Sequence, residues 1–187
     1  MKQNWKPGNL LYPLPVIMLS CAEEGKAPNI ITLAWAGTVC SEPPMLSVSI
    51  RKDRFSHGIV SRSGEFVVNL VPASLSGACD FCGVKSGRDI NKFEVLGLTA
   101  EKAPNLSAAP LIAESPVNLE CRVERVLELG SHDMFIAKIV GVQVSGDLLE
   151  EGGKLDLNKA DLIAYSHGEY HRLGEKVGSF GYSVRKR

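Results

Sequence analysis

This sequence carries no net charge. Its 21 lysines and arginines are offset by 21 aspartates and glutamates, and its pI lies near 6.9. That balance removes any whole-molecule attraction to nucleic acid or to an acidic membrane, so no nucleic-acid or membrane partner is expected. An anionic ligand would have to be held by a local cluster. No apolar run approaches the ~20 residues that a membrane-crossing helix requires. A paired disulfide framework is missing too. The five cysteines, Cys21, Cys40, Cys79, Cys82 and Cys121, are odd in number and scattered, so reduced thiols and a cytoplasmic location are expected. Lys2 and Lys6 ahead of the apolar stretch Leu10 to Leu19 imitate an export signal. Pro13 and Pro15 interrupt that stretch, and Met18-Leu19-Ser20 is a poor cleavage context, so it reads as a strand. The chain also lacks a P-loop, a G-x-G-x-x-G, a G-x-S-x-G elbow, internal repeats and low-complexity tracts. An ordinary nucleotide fold and a protein-borne nucleophile are therefore not indicated.

What is present is an average globular composition, 44% apolar and 22% charged, which argues against disorder and coiled coil. A chain of 187 residues suits one domain, 1–187, burying roughly 70% of its extended-chain surface. The strongest periodicity is two. Leu46-Ser47-Val48-Ser49-Ile50-Arg51 alternates strictly, as does Val117 to Glu124, and both read as strands with one face on a core. Pro15 to Cys21, Asn29 to Cys40, Glu65 to Val71 and Asp133 to Val144 are further strands. Short helices are expected over 54–62, 73–82 and 89–95, each stopping near a glycine. Residues 103–116 hold three prolines and read as a loop. The fold class is α+β, mainly β: a barrel or sandwich of six or more strands with short peripheral helices.

Five constellations could carry chemistry. Ser47, Ser49, Arg51, Lys52, Arg54 and His57 crowd a strand end and the start of a helix, where hydroxyls, cations and free helix N–H groups suit a phosphate or carboxylate. The plain alternative is a solvated corner. Gly83 to Asp89 followed by Lys92-Phe93 makes a second anion-friendly loop, unless Asp89 simply caps a helix and Arg88 and Lys92 face water. Trp35-Ala36-Gly37-Thr38 offers small residues and an aromatic to a flat ligand, with Gly37 permitting an unusual backbone angle, or else is a core tryptophan beside a bulge. Cys79-Asp80-Phe81-Cys82 invites a redox or zinc reading. Both thiols lie late on the apolar face of a helix, however, with no second pair at zinc spacing, so buried packing is preferred. His167 and His171 have i, i+4 spacing, but Gly168 makes a helix doubtful, and a metal site is not expected.

Taken in order, several segments resemble the flavin reductase-like family, whose fold is the FMN-binding split barrel. They are Pro13 to Val16, Asn29 to Trp35, Pro43-Pro44 with Leu46 to Ile50, and Lys52 to Ser56. Ser63 to Leu70, Ser86 to Asp89 with Lys92-Phe93, and Gly168 to Tyr170 with Leu173-Gly174 follow. The flavoredoxin branch is the nearest in pattern. The resemblance implies noncovalent FMN at a homodimer interface. Trp35, Ala36, Gly37 and Thr38 would line the ring, and Ser49, Ile50, Arg51 and Lys52 would meet the ribityl chain and phosphate. Ser86, Gly87 and Lys92 would complete the phosphate side. His57 stands where relatives often carry a small hydroxyl residue, and Asn91 where an aspartate is common.

By that resemblance the flavin does the chemistry. The leading expectation is an NAD(P)H-linked flavin reductase, with hydride passing to flavin N5 and Lys92 a candidate for stabilising charge near N1 and O2. The alternative is a flavoredoxin-type electron carrier reduced by a redox protein partner.

Overall fold

The computed structural model describes residues 1–184. In chain order the strands are β1 Leu14–Pro15, β2 Ile17–Cys21, β3 Asn29–Leu33, β4 Ala36–Ser41, β5 Pro44–Arg51 and β6 Glu65–Leu70. They continue with β7 Ala100–Glu101, β8 Leu111–Ile112, β9 Val117–Leu129, β10 His132–Val144, β11 Ile163–Ser166 and β12 Glu169–Arg172. Three helices, α1 Phe55–Ser63, α2 Ser76–Val84 and α3 Lys92–Leu96, lie between them. The main sheet has seven strands in the order β3-β2-β6-β9-β10-β5-β4, antiparallel at every pairing. A smaller sheet, β1-β11-β12, stands beside it.

The period-two patterns explain this sheet. Leu46, Val48 and Ile50 of β5 point inward and are buried, while Ser47 and Ser49 stay half-exposed on the other face. They meet Ile17 and Leu19 of β2, Ile31 and Leu33 of β3, Phe66 of β6, Cys121 of β9 and Phe135 of β10 in one apolar core, capped by Ile59 and Val60 of α1. Burying a large apolar side chain contributes roughly 1.5–3 kcal/mol relative to leaving it in water, so this interior is the main source of stability. Gly64 ends α1 in the left-handed region (φ 67°), its N–H returning to Val60 O, which is why the helix stops there.

Four details differ from the sequence expectation. The stretch Asn29 to Cys40 is two strands. Trp35 O accepts from Ser49 N at 2.8 Å, so after Leu33 the chain leaves β2 and joins β5 on the far edge of the sheet. Gly37 sits in β4 with no positive φ, so its value is its missing side chain. The third helix starts at Lys92, because the Asn91 side chain, not Asp89, accepts the Phe93 N–H at 3.2 Å. His167 and Gly168 form the tight turn of the β11–β12 hairpin, both with positive φ, so His167 and His171 share no helix face.

The 103–116 segment is a tethered loop. Buried Glu65 accepts the backbone N–H groups of Ser107, Ala108 and Ala109, and buried Glu120 accepts that of Asn105. These bonds hold Leu106 and Leu111 over Val67, which explains why β6 is buried on both faces.

Candidate functional site

The crossing at Ala34-Trp35 opens a trough on the outside of the barrel. Its first part is a mainly apolar cavity of about 350 Å3, floored by Ile31 to Trp35. Gly83 and Val84 of α2, Tyr165 and Tyr170 of the small sheet, and Ser49, Arg51 and His132 complete its lining. Tyr170 donates its hydroxyl to Asp80 at 3.2 Å, and burial pushes its pKa up, so it stays protonated. Gly83 packs on the side chain of Thr32, whose hydroxyl donates to Cys79 O, and so α2 is seated directly on β3.

The second part is a polar cavity of about 210 Å3 that shares Ile31 and Arg54 with the first. Four cations line it, Arg54, Lys85, Arg88 and Lys92, against the single acid Asp53. This concentration of charge in a neutral protein is the local cluster that an anion needs. Ser56 and Ser86 add hydroxyls, and Asn29 adds a buried amide that donates to Ser56 Oγ at 2.8 Å. Helix α1 begins here. Its N-cap residue, Arg54, makes no side-chain cap bond, and while the His57 N–H returns to Arg54 O at 3.0 Å, Phe55 and Ser56 bring the positive end of the helix dipole to the same cavity. A Cβ on Gly87 would collide with the Asn29 amide, so glycine is needed for the loop to lie this close.

Lys92 is almost fully buried, and its ammonium donates to Ile30 O at 2.6 Å and Cys82 O at 2.9 Å. A lysine ammonium has three N–H donors, so one remains beyond these two carbonyls. Burial pushes its pKa down; the neighbouring Cys82 and Cys21 sulfurs push it up, and Arg54 pushes it down further.

Of the residues expected to bind, Trp35, Ser49 and Arg51 line the apolar cavity, and Ser86, Gly87 and Lys92 the polar one. Lys92 therefore stands on the anion side, away from the apolar cavity, whose cations are Arg51 and Arg54. Ala36, Gly37 and Thr38 continue past Trp35 into an adjoining apolar recess. Ile50 is a core residue with no exposed surface. Lys52 and His57 line neither cavity. His57 Nε2 lies 2.7 Å from Asp133 Oδ2, edge-on to Phe135, and Lys52 Nζ lies 3.2 Å from Asp133 Oδ1 as an ion pair. Sequence reasoning did not single out Asn29, Ser56 or His132. Only the polarity of Asn29 in an otherwise apolar strand was a signal.

Cys79 and Cys82 are buried against Val16, Met18, Ile30 and Phe93, and burial pushes their pKa values to about 12 and about 11. They are packing thiols in this state, although Cys82 also touches the polar cavity. Among the described residues no cluster suited to a metal ion is present.

A seven-stranded, all-antiparallel sheet with short outer helices, and an apolar cavity adjoining a cation-lined one, fits the FMN-binding split-barrel class. The chain belongs to the flavin reductase like domain family, matching the family model over residues 10–174. A protein of Archaeoglobus fulgidus is 33% identical over 159 residues, 85% of this chain and 87% of its own. Among solved structures, flavoredoxin of Desulfovibrio vulgaris (Miyazaki F) is 29% identical with a TM-score of 0.90, covering 99% of this chain and 100% of its own. Flavoredoxin from Methanosarcina acetivorans is 27% identical with a TM-score of 0.88, covering 98% and 97%.

Proposed function

We propose that this protein is an FMN-binding electron carrier of the flavoredoxin type. The observation that carries the reading is the composite trough, a mainly apolar cavity that shares Ile31 and Arg54 with a four-cation pocket. An apolar cavity joined to a cation-lined one suits a ring with a short phosphate-bearing tail. The near-complete overlap with two flavoredoxins favours a carrier over the NAD(P)H-linked reductase first expected. When bound, FMN supplies the ring that accepts and returns electrons.

The chain's own residues divide the remaining work. Trp35 and Ile31 to Leu33 exclude water from one side of the ring cavity. Arg51 and Arg54 place positive charge where added electrons make the ring more negative, which favours its reduced form. Arg54, Lys85, Lys92 and the α1 amides hold the phosphate, with Asn29, Ser56 and Ser86 completing the donor set. The reductase reading keeps one support, the family's own description as flavin reductase like. In that version NADH or NADPH would be the electron donor.

A second copy of the chain is proposed to cover the recess beside Trp35. That recess holds Tyr12, Val39 and Met134 with Leu10 and Leu11, and Leu10, Leu11 and Val39 are 58%, 83% and 51% exposed. Apolar surface of this kind beside a binding site marks an interface. Five free cysteines, four of them buried, suit a reducing compartment such as the cytoplasm. Among the described residues no helix is long and apolar enough to cross a membrane.

The test is titration of flavin-free protein with FMN and with riboflavin. FMN should bind more tightly by about tenfold or more, one charged contact's worth. Equal affinity for both would remove the cation pocket from the account, and no affinity for either would remove the trough.

A further inference from the structure

Arg88 lines the polar cavity and not the apolar one, and its guanidinium is engaged by the protein itself. Both Nη atoms donate to Asp53 O, each at 3.2 Å, and the group lies over the Phe55 ring at 5.7 Å. Its own N–H donates to Ser86 Oγ at 3.2 Å. Arg88 thus fastens the loop after α2 to the corner between β5 and α1, two segments 35 residues apart.

Behind this clasp lies a further cavity of about 410 Å3. It shares Phe55, Gly87 and Arg88 with the polar cavity and adds Ile59, Pro28 and Ile90. Glu23 on its rim is already matched by Lys26 at 2.9 Å and Arg62 at 2.8 Å, and those cations hold its pKa down at about 2. The three cavities therefore run in series: ring, anion, outer. The clasp is the partition between the second and the third.

We propose that Arg88 is a specificity residue that ends the cofactor trough after one phosphate and so selects a flavin mononucleotide over a flavin dinucleotide. The inference rests on the FMN reading above. A dinucleotide carries a second phosphate and an adenosine beyond the first phosphate, and these meet the Arg88–Asp53 bond. With the clasp open, the outer cavity offers Phe55 and Ile59 to a purine. Arg88 acts here through the peptide it grips, in addition to the charge it lends the polar cavity.

The experiment is isothermal titration of flavin-free wild type, Arg88→Ala and Arg88→Lys with FMN and with FAD. Wild type should bind FAD about tenfold or more weakly than FMN, and Arg88→Ala should narrow that gap about tenfold, since a charged, two-donor contact is lost. Arg88→Lys keeps the pocket's positive charge but not the fork, so the gap should still narrow, and through a gain in FAD affinity. A gap of the same size in all three proteins overturns the proposal, as does wild type binding FAD and FMN equally. Wild type that binds neither flavin overturns the FMN reading itself, and this inference with it.

Discussion

Lys92 shows how one side chain can serve both fold and site. Two of its donors tie α3 to the carbonyls of Ile30 in β3 and Cys82 in α2, and the third is left for an anion. Burial lowers its pKa from the ordinary lysine value, and Arg54 adds to the effect against the opposing Cys82 and Cys21 sulfurs. The charged form is the one that attracts phosphate. FMN affinity should therefore fall on raising the pH, and at a lower pH than an exposed lysine of pKa about 10.4 dictates. Titrations across pH should show this fall for FMN, none for riboflavin, and none for FMN with Lys92→Met. Cys82, at about 11, is still a neutral thiol over most of that range. Gly87 gives a second residue-scale prediction. A Cβ there meets the Asn29 amide, which is held by Ser56. Gly87→Ala should push the loop off the cavity and weaken FMN by about tenfold, comparable to one lost charged contact. Its circular dichroism should match wild type, because the loop lies outside the barrel core.

At the scale of elements, Asp133 of β10 ties the end of β5 to α1 through Lys52 and His57. Burial alone would raise its pKa, but the His57 hydrogen bond and the Lys52 ammonium outweigh this and hold it below the usual aspartate range. A depressed folded-state pKa gives stability that is complete above the unfolded value of about 4 and is lost as pH falls through the folded one. Asp133→Asn should lower Tm at neutral pH, and its difference from wild type should shrink below about pH 4. The same contact explains a limit of sequence reading. Lys52 and His57 sit among the candidate binding residues in the sequence, yet their side chains meet Asp133, an acid 76 positions beyond His57, and line neither cavity. Strand β5 was legible because Leu46, Val48 and Ile50 alternate with Ser47 and Ser49, a local signal. The break at Ala34-Trp35 was not, since the apolar run there is continuous and only pairing with two different strands divides it. Asn29 and Ser56 were missed because the anion pocket draws on β3, α1 and the loop after α2, which only the fold brings together.

At the scale of the whole molecule, a neutral protein gathers four cations around one small cavity and leaves an apolar recess beside Trp35. If a second copy covers that recess, Val39→Asp should turn a dimer into a monomer in sedimentation and weaken FMN binding with it. A wild type that sediments as a monomer would remove the interface from the account. The central claim is that the flavin held here takes electrons from a protein partner. Its most direct test is anaerobic rapid mixing of the FMN-loaded protein with a reduced low-potential iron–sulfur protein, and separately with NADH and NADPH, following the flavin absorbance band. The account predicts fast bleaching by the iron–sulfur protein and slow or absent bleaching by both nucleotides; fast bleaching by either nucleotide, with none by the iron–sulfur protein, would contradict it.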